Sequence, residues 1–156
     1  SELASRMFPA WHLGRFPDHE FIACSYNVSL AMTFSRKVKE VIVGPVYEAI
    51  FDTRLHPDFQ AAEEWAIKGH RGGYVAAGVG GGITGKGSHS LLIDDPIKNA
   101  EEAQSADLRE KLWIQRVADS GDVPGGVMLV PMLGGLDDWE SAVLKQQQHL
   151  KLTVKE

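Results

Sequence analysis

An α/β fold, with a mostly parallel sheet and helices on both faces, is what the sequence predicts. Three observations carry that prediction. Short runs such as Phe21-Ile22-Ala23-Cys24, Leu91-Leu92-Ile93 and Val127 to Val130 are apolar throughout rather than alternating. That is the pattern of strands buried on both faces. Stretches with helical spacing separate them, the order that builds parallel sheets. The 156 residues, 44% hydrophobic and 24% charged, suit one ordinary globular core.

Taken in order, Leu3 to Leu13 has apolar residues at Leu3, Met7, Ala10 and Trp11 and reads as a helix that Pro9 should bend or break and Gly14 should end. Phe21 to Ser25 is a strand entered through Pro17 and Asp18. Asn27 or Ser29 caps a helix through Ile42, with Leu30, Phe34, Val38 and Val41 on one face. Gly44-Pro45 punctuates, and Val46 to Phe51 is a second short helix. Glu64 to Ile67 and Tyr74 to Val79 are modest strands turning at Gly69 to Gly73. Leu91 to Ile93 is a compact strand after the glycine-rich Gly80 to Gly87. A charged helix is expected from Ala100 to Val117, a strand over Val127 to Val130 and a last helix over Asp137 to Leu150.

Several function classes are disfavoured. The net charge of −5, without a run of Lys and Arg, argues against a strongly basic nucleic-acid binder. No apolar stretch approaches the ~20 residues needed to cross a bilayer, and Arg6, His12 and Arg15 interrupt any signal-peptide pattern. The lone Cys24 sits in an apolar run and reads as a buried thiol; a cytoplasmic location is expected. The histidines at 12, 19, 56, 70, 89 and 149 lack metal-ligand spacing and read as ordinary polar residues. Trp11, Trp65, Trp113 and Trp139 are too dispersed for base stacking and read as packing residues.

The strand that runs directly into Asp94-Asp95-Pro96 is the most informative feature. Side chains at the carboxyl end of a parallel strand face the crevice where α/β sheets bind ligands. One carboxylate there suits Mg²⁺, which prefers oxygen ligands and keeps much of its water; the next can activate the attacking water in phosphoryl transfer. The plain alternative is a solvated Asp-Asp turn. Gly80 to Lys86 matches G-x-x-x-x-G-K, but Gly87 stands where a phosphate loop needs Ser or Thr, and Ser88 to Ile93 continues into a strand instead of a helix. It reads as a loop near the site. Arg54, Arg71 and Arg109 are candidates for an arginine finger, with a local charge contact the preferred reading of each.

These segments together resemble the ATPase domain of the large terminase subunit, the DNA-packaging motor of tailed phages and prophages. The matching residues are Ser1-Glu2-Leu3-Ala4-Ser5-Arg6, Trp11-His12-Leu13-Gly14, Pro17-Asp18, Ala23-Cys24-Ser25-Tyr26-Asn27 and Phe34-Ser35-Arg36-Lys37-Val38. Further along come Gly73 to Gly80, Thr84-Gly85-Lys86-Gly87, Leu91 to Lys98, Glu101-Glu102-Ala103 and Arg109 to Trp113, so residues 1–113 match in unbroken order.

The resemblance implies a P-loop NTPase-like fold lacking its first strand and phosphate loop, and an ATP- and Mg²⁺-dependent hydrolase driving double-stranded DNA into procapsids. It implies the portal protein and small terminase subunit as partners, with a homo-oligomeric ring as one arrangement. By position, Asp94 matches the Mg²⁺-associated acid of the Walker B strand and Asp95 the neighbouring catalytic acid. Ser1 matches the hydroxyl that closes Walker A, contacting metal and nucleotide. The Walker A glycines and lysine would precede Ser1, so residues 1–156 read as one truncated ATPase domain, inactive alone and without the family's nuclease domain. Asp137 and Asp138 are therefore not nuclease ligands. Where the family carries Thr-Arg-Trp-His, linking hydrolysis to movement, this chain has Met132-Leu133-Gly134-Gly135. That departure sustains a rival reading from a different class: a degenerate prophage remnant with only a binding or assembly role.

Overall fold

The computed structural model describes residues 2–78 and 88–95, and the backbone of 127–130. The chain opens with a π-helical segment, Glu2–Met7, that passes into α1, Phe8–Arg15. Pro9 explains the junction. A proline lacks the amide needed inside a helix and its ring crowds the preceding turn, so the regular helix starts just before it, in the first turn where no intrahelical amide bond is required. The expected helix therefore forms in two parts, but its buried face is not the expected one. Ser5, Pro9, Ala10, His12 and Leu13 face inward, whereas Leu3 is 80% exposed and Met7 and Trp11 about half exposed. Small side chains on the inner face let this helix lie close over Phe21, part of the same core.

Strand β1, Glu20–Ser25, follows, and then α2, Val28–Ile42. Asn27 is the cap: its side-chain oxygen accepts the Leu30 amide at 2.8 Å. The buried stripe of α2 is Ala31, Ser35, Val38 and Ile42; Leu30, Phe34 and Val41 are only partly buried, so the helix is rotated from the expected face by about one residue. Ser35 explains a polar residue in that stripe, since its Oγ accepts the Trp65 indole N–H at 2.9 Å. Helix α3, Pro45–Ile50, is the expected second short helix.

Strands β2 (Leu55–Gln60), β3 (Glu64–Ile67), β4 (Gly73–Gly78), β5 (Ser90–Asp94) and β6 (Val127–Val130) complete a sheet in the order β2-β3-β4-β1-β5-β6. The sheet is mixed. Strands β4, β1, β5 and β6 pair in parallel, while β2 and β3 add an antiparallel edge. Strand β2 has no counterpart in the expectations; Pro57 and its polar neighbours suit only an edge, where a missing amide breaks no ladder.

Alternate residues of the central strands feed two clusters. Phe21, Ala23, Tyr74, Ala76 and Leu92 pack with α1 and α2, while Ile22, Cys24, Ala77, Leu91 and Ile93 form a second buried group. Cys24 is thus buried, as expected. Trp65, Tyr74 and Phe21 stack in a row across β3, β4 and β1, at 5.1 and 5.7 Å between centroids. Trp65 is core, whereas Trp11 lies on the surface against Phe8 and Phe16. The glycine-rich stretch, the expected helices at 100–117 and 137–150, Trp113, Trp139, Arg109 and His149 lie outside the described residues, and so does Ser1.

Candidate functional site

The parallel strands β4, β1, β5 and β6 end on one edge of the sheet, at Gly78, Ser25, Asp94 and Val130. The chain leaves β1 toward β4 on one side and leaves β5 toward β6 on the other. Neighbouring strands whose exits diverge in this way open a crevice at their carboxyl ends, the usual ligand position in an α/β sheet. Asp94 and Asp95 lie at that point.

Asp94 is the last residue of β5 and only 5% exposed. Its Oδ2 accepts the hydroxyl of Ser5, itself buried, from the π-helical segment 89 residues earlier. A buried carboxylate is costly unless hydrogen-bonded, and Ser5 provides the bond. Asp95 is held differently. Its carbonyl accepts the Tyr26 amide at 3.0 Å and the Ser25 hydroxyl at 3.4 Å, which fastens the turn to the end of β1. Among the described residues it is the one non-glycine in the left-handed region, with φ of 51°. Among the described residues its buried Oδ1 has no hydrogen-bond partner. Burial, and then the adjacent Asp94 charge, push its carboxyl above the ordinary carboxylate range.

The donor set is all oxygen, and a buried carboxylate oxygen without a partner is an opening for a polar ligand. Among the described residues no three His, Cys, Asp or Glu side chains converge as a metal cage. Mg²⁺ does not require one, since it is ordinarily held by one or two carboxylates together with waters and substrate phosphates. The pair therefore fits Mg²⁺ and would not fit a zinc site.

Other candidates separate from this edge. Arg54 contacts Glu48 at 3.6 Å and donates to the carbonyls of Phe51 and Thr53, a local arrangement. The Arg71 amide donates to Asp18 at 3.1 Å. A groove of about 670 Å³ bordered by Asp58, Phe59, Glu64 and Arg71 contains neither Asp94 nor Asp95. That groove lies apart from the carboxylates, for which strand topology and the orphaned oxygen are the guides.

Reasoning from sequence missed Ser5. Its only signal was a small polar residue where the helix must approach the sheet. It also missed that His12, His19 and His89 meet at the opposite end of β1 and β5. The family model described as terminase large subunit, T4likevirus-type, N-terminal matches residues 1–120. No curated protein matches the chain.

Proposed function

Because the chain belongs to the family of T4-like terminase large-subunit N-terminal domains, with a role in DNA packaging, we propose that it carries the carboxylate strand of the packaging ATPase. The observation that supports this reading most is the asymmetry of the two acids. Asp94 is buried and held by Ser5, whereas Asp95, left-handed in backbone, is raised in pKa and has a buried oxygen with no partner among the described residues. A solvated turn has no need of either arrangement.

In this reading the fold is P-loop NTPase-like, and residues 1–156 all belong to the ATPase domain. Bound Mg·ATP supplies the electrophilic phosphorus and the cation that neutralises its charge. Asp94 would hold the metal, directly or through water, and Ser1 would be the second oxygen on metal and nucleotide. Ser5 keeps the Asp94 carboxylate oriented through its bond to Oδ2. Asp95 takes the proton of the attacking water at Oδ1; a carboxylate made more basic by burial is better suited to that work. Double-stranded DNA, the portal protein and the small terminase subunit are the partners, and a ring of copies in the bacterial cytoplasm is the setting. Among the described residues no helix is long and apolar enough to cross a membrane.

The rival reading, an assembly role without catalysis, is favoured by Met132-Leu133-Gly134-Gly135 at the coupling segment. Nucleotide binding separates the two. In an ATP-binding terminase large subunit containing this domain, Asp94→Asn should weaken Mg²⁺-dependent ATP binding by at least about tenfold, the effect of ~1.4 kcal/mol of lost metal contact. Equal affinity of wild type and variant in calorimetry removes Asp94 from the site and favours the assembly reading.

A further inference from the structure

Three histidines that the ATPase reading leaves unused meet where β1 and β5 begin. His12 comes from α1, His19 immediately precedes β1 and His89 immediately precedes β5. The rings of His19 and His89 stack face to face, 4.2 Å between centroids and 11° apart. His19 Nδ1 lies 3.2 Å from His12 Nε2. His89 grips Glu20 twice: its backbone amide donates to the Glu20 carbonyl at 2.8 Å, and its Nδ1 accepts the Glu20 amide at 3.0 Å.

Proton counting constrains this cluster. A backbone amide is always a donor, so His89 Nδ1 must be unprotonated to receive it, and His89 must be neutral. Between His12 and His19 one nitrogen donates and the other accepts, so at least one of those rings is neutral as well. The arrangement as built tolerates at most one imidazolium, and none on His89. A proton on His89 turns its acceptor into a donor aimed at another donor; a second on His19 places two cations face to face.

We propose that His12, His19 and His89 form a proton-released clasp that fastens the entry of β5 to the entry of β1 near neutral pH and lets go in mild acid. The groups around it are mixed. Phe8, Phe16 and Phe21 surround His12, and the burial this brings disfavours a charge there. Arg15 lies 5.9 Å over the Phe16 ring and opposes further positive charge. Asp18, before His19, favours its cation, and Glu20 is the residue being gripped. Burial and the neighbouring rings outweigh Asp18 and keep both His12 and His19 below the ordinary imidazole range. His19 and His89 are only half-buried, so protons reach them. Strands β1 and β5 carry Ser25 and Asp94 at their other ends, so the clasp acts on the two strands that bear the candidate site.

Amide hydrogen exchange of the 156-residue chain tests the clasp. Protection at the Glu20 and His89 amides should fall at least about tenfold between pH 7 and pH 5, after correction for intrinsic exchange, because opening takes up a proton. The Tyr26 amide, bonded to Asp95 at the far end, should keep its protection. His89→Asn places an uncharged acceptor near the Nδ1 position and should abolish the dependence. A second readout needs no mutation: the ¹⁵N shift of His89 Nδ1 should report protonation in step with the loss of protection. Unchanged protection down to pH 5, the same fall in His89→Asn, or protonation of His89 without loss of protection each overturns the clasp.

Discussion

Asp95 combines two features that an ordinary surface turn avoids: a raised pKa and a buried oxygen with no partner among the described residues. Its left-handed backbone is one that Asp and Asn tolerate. The bonds from Tyr26 and Ser25 hold it there. Asparagine tolerates the same conformation, so Asp95→Asn preserves the turn while removing the base. Tyr74 makes a useful contrast. Its hydroxyl is also buried with no partner among the described residues, and burial, Cys24 and Asp94 all push its pKa up. It has no place in the proposed chemistry. Tyr74→Phe should therefore leave stability unchanged or raise it by about 1 kcal/mol in urea unfolding, since deleting an unsatisfied polar group relieves a desolvation cost. A loss of more than about 1 kcal/mol would mean that the hydroxyl has a partner. The two acids were legible in the sequence because an apolar strand ending in paired carboxylates is a local pattern. Ser5 and the histidines were not, because their partners lie 89, 7 and 69 residues away, and only the assembled sheet brings them together.

At the scale of elements, the junction between β4 and α2 fixes where the site edge lies. A Cβ on Gly78 would sit 2.5 Å from the Val28 nitrogen and 2.9 Å from the Asn27 carbonyl carbon, both backbone atoms. Gly78→Ala should cost about 1–3 kcal/mol by forcing those backbones apart, as overpacking does, and chemical denaturation reads it directly. Asn27→Ala removes the side-chain cap of α2 and should cost about 1 kcal/mol, whereas Asn27→Asp should retain most of the stability. Asn27 was identifiable from sequence because cap chemistry is local. The buried face of α2 was not. Hydrophobicity favoured Leu30 and Phe34, yet Ala31 and Ser35 face inward because the Trp65 indole requires an acceptor at Ser35. Strand β2 escaped notice for a similar reason: at an edge, pairing with β3 rather than apolar content holds it.

Over the whole molecule, the fold shifts the pKa of groups at both ends of the parallel strands, lowering His12 and raising Asp95. His12 is buried among aromatic rings, and burial, then the neighbouring His19 and His89, lower its pKa to about 4. Unfolding restores the ordinary value near 6.5, so the unfolded chain takes up the proton first. Stability is complete above pH ~6.5 and falls as pH drops toward 4, by on the order of 3 kcal/mol from this one group. His12→Phe should flatten that part of a stability–pH curve measured by urea midpoint; an unaltered acid limb would remove His12 as its cause. At the opposite end, the account stands or falls on Asp95 as the base for phosphoryl transfer. The most direct measurement is single-turnover ATP hydrolysis, with nucleotide binding followed in parallel, in an ATP-binding terminase large subunit containing this domain. Asp95→Asn should bind Mg·ATP nearly as wild type does and hydrolyse it ~10²–10⁴-fold more slowly. Hydrolysis at a near-normal rate in that variant would contradict the assignment.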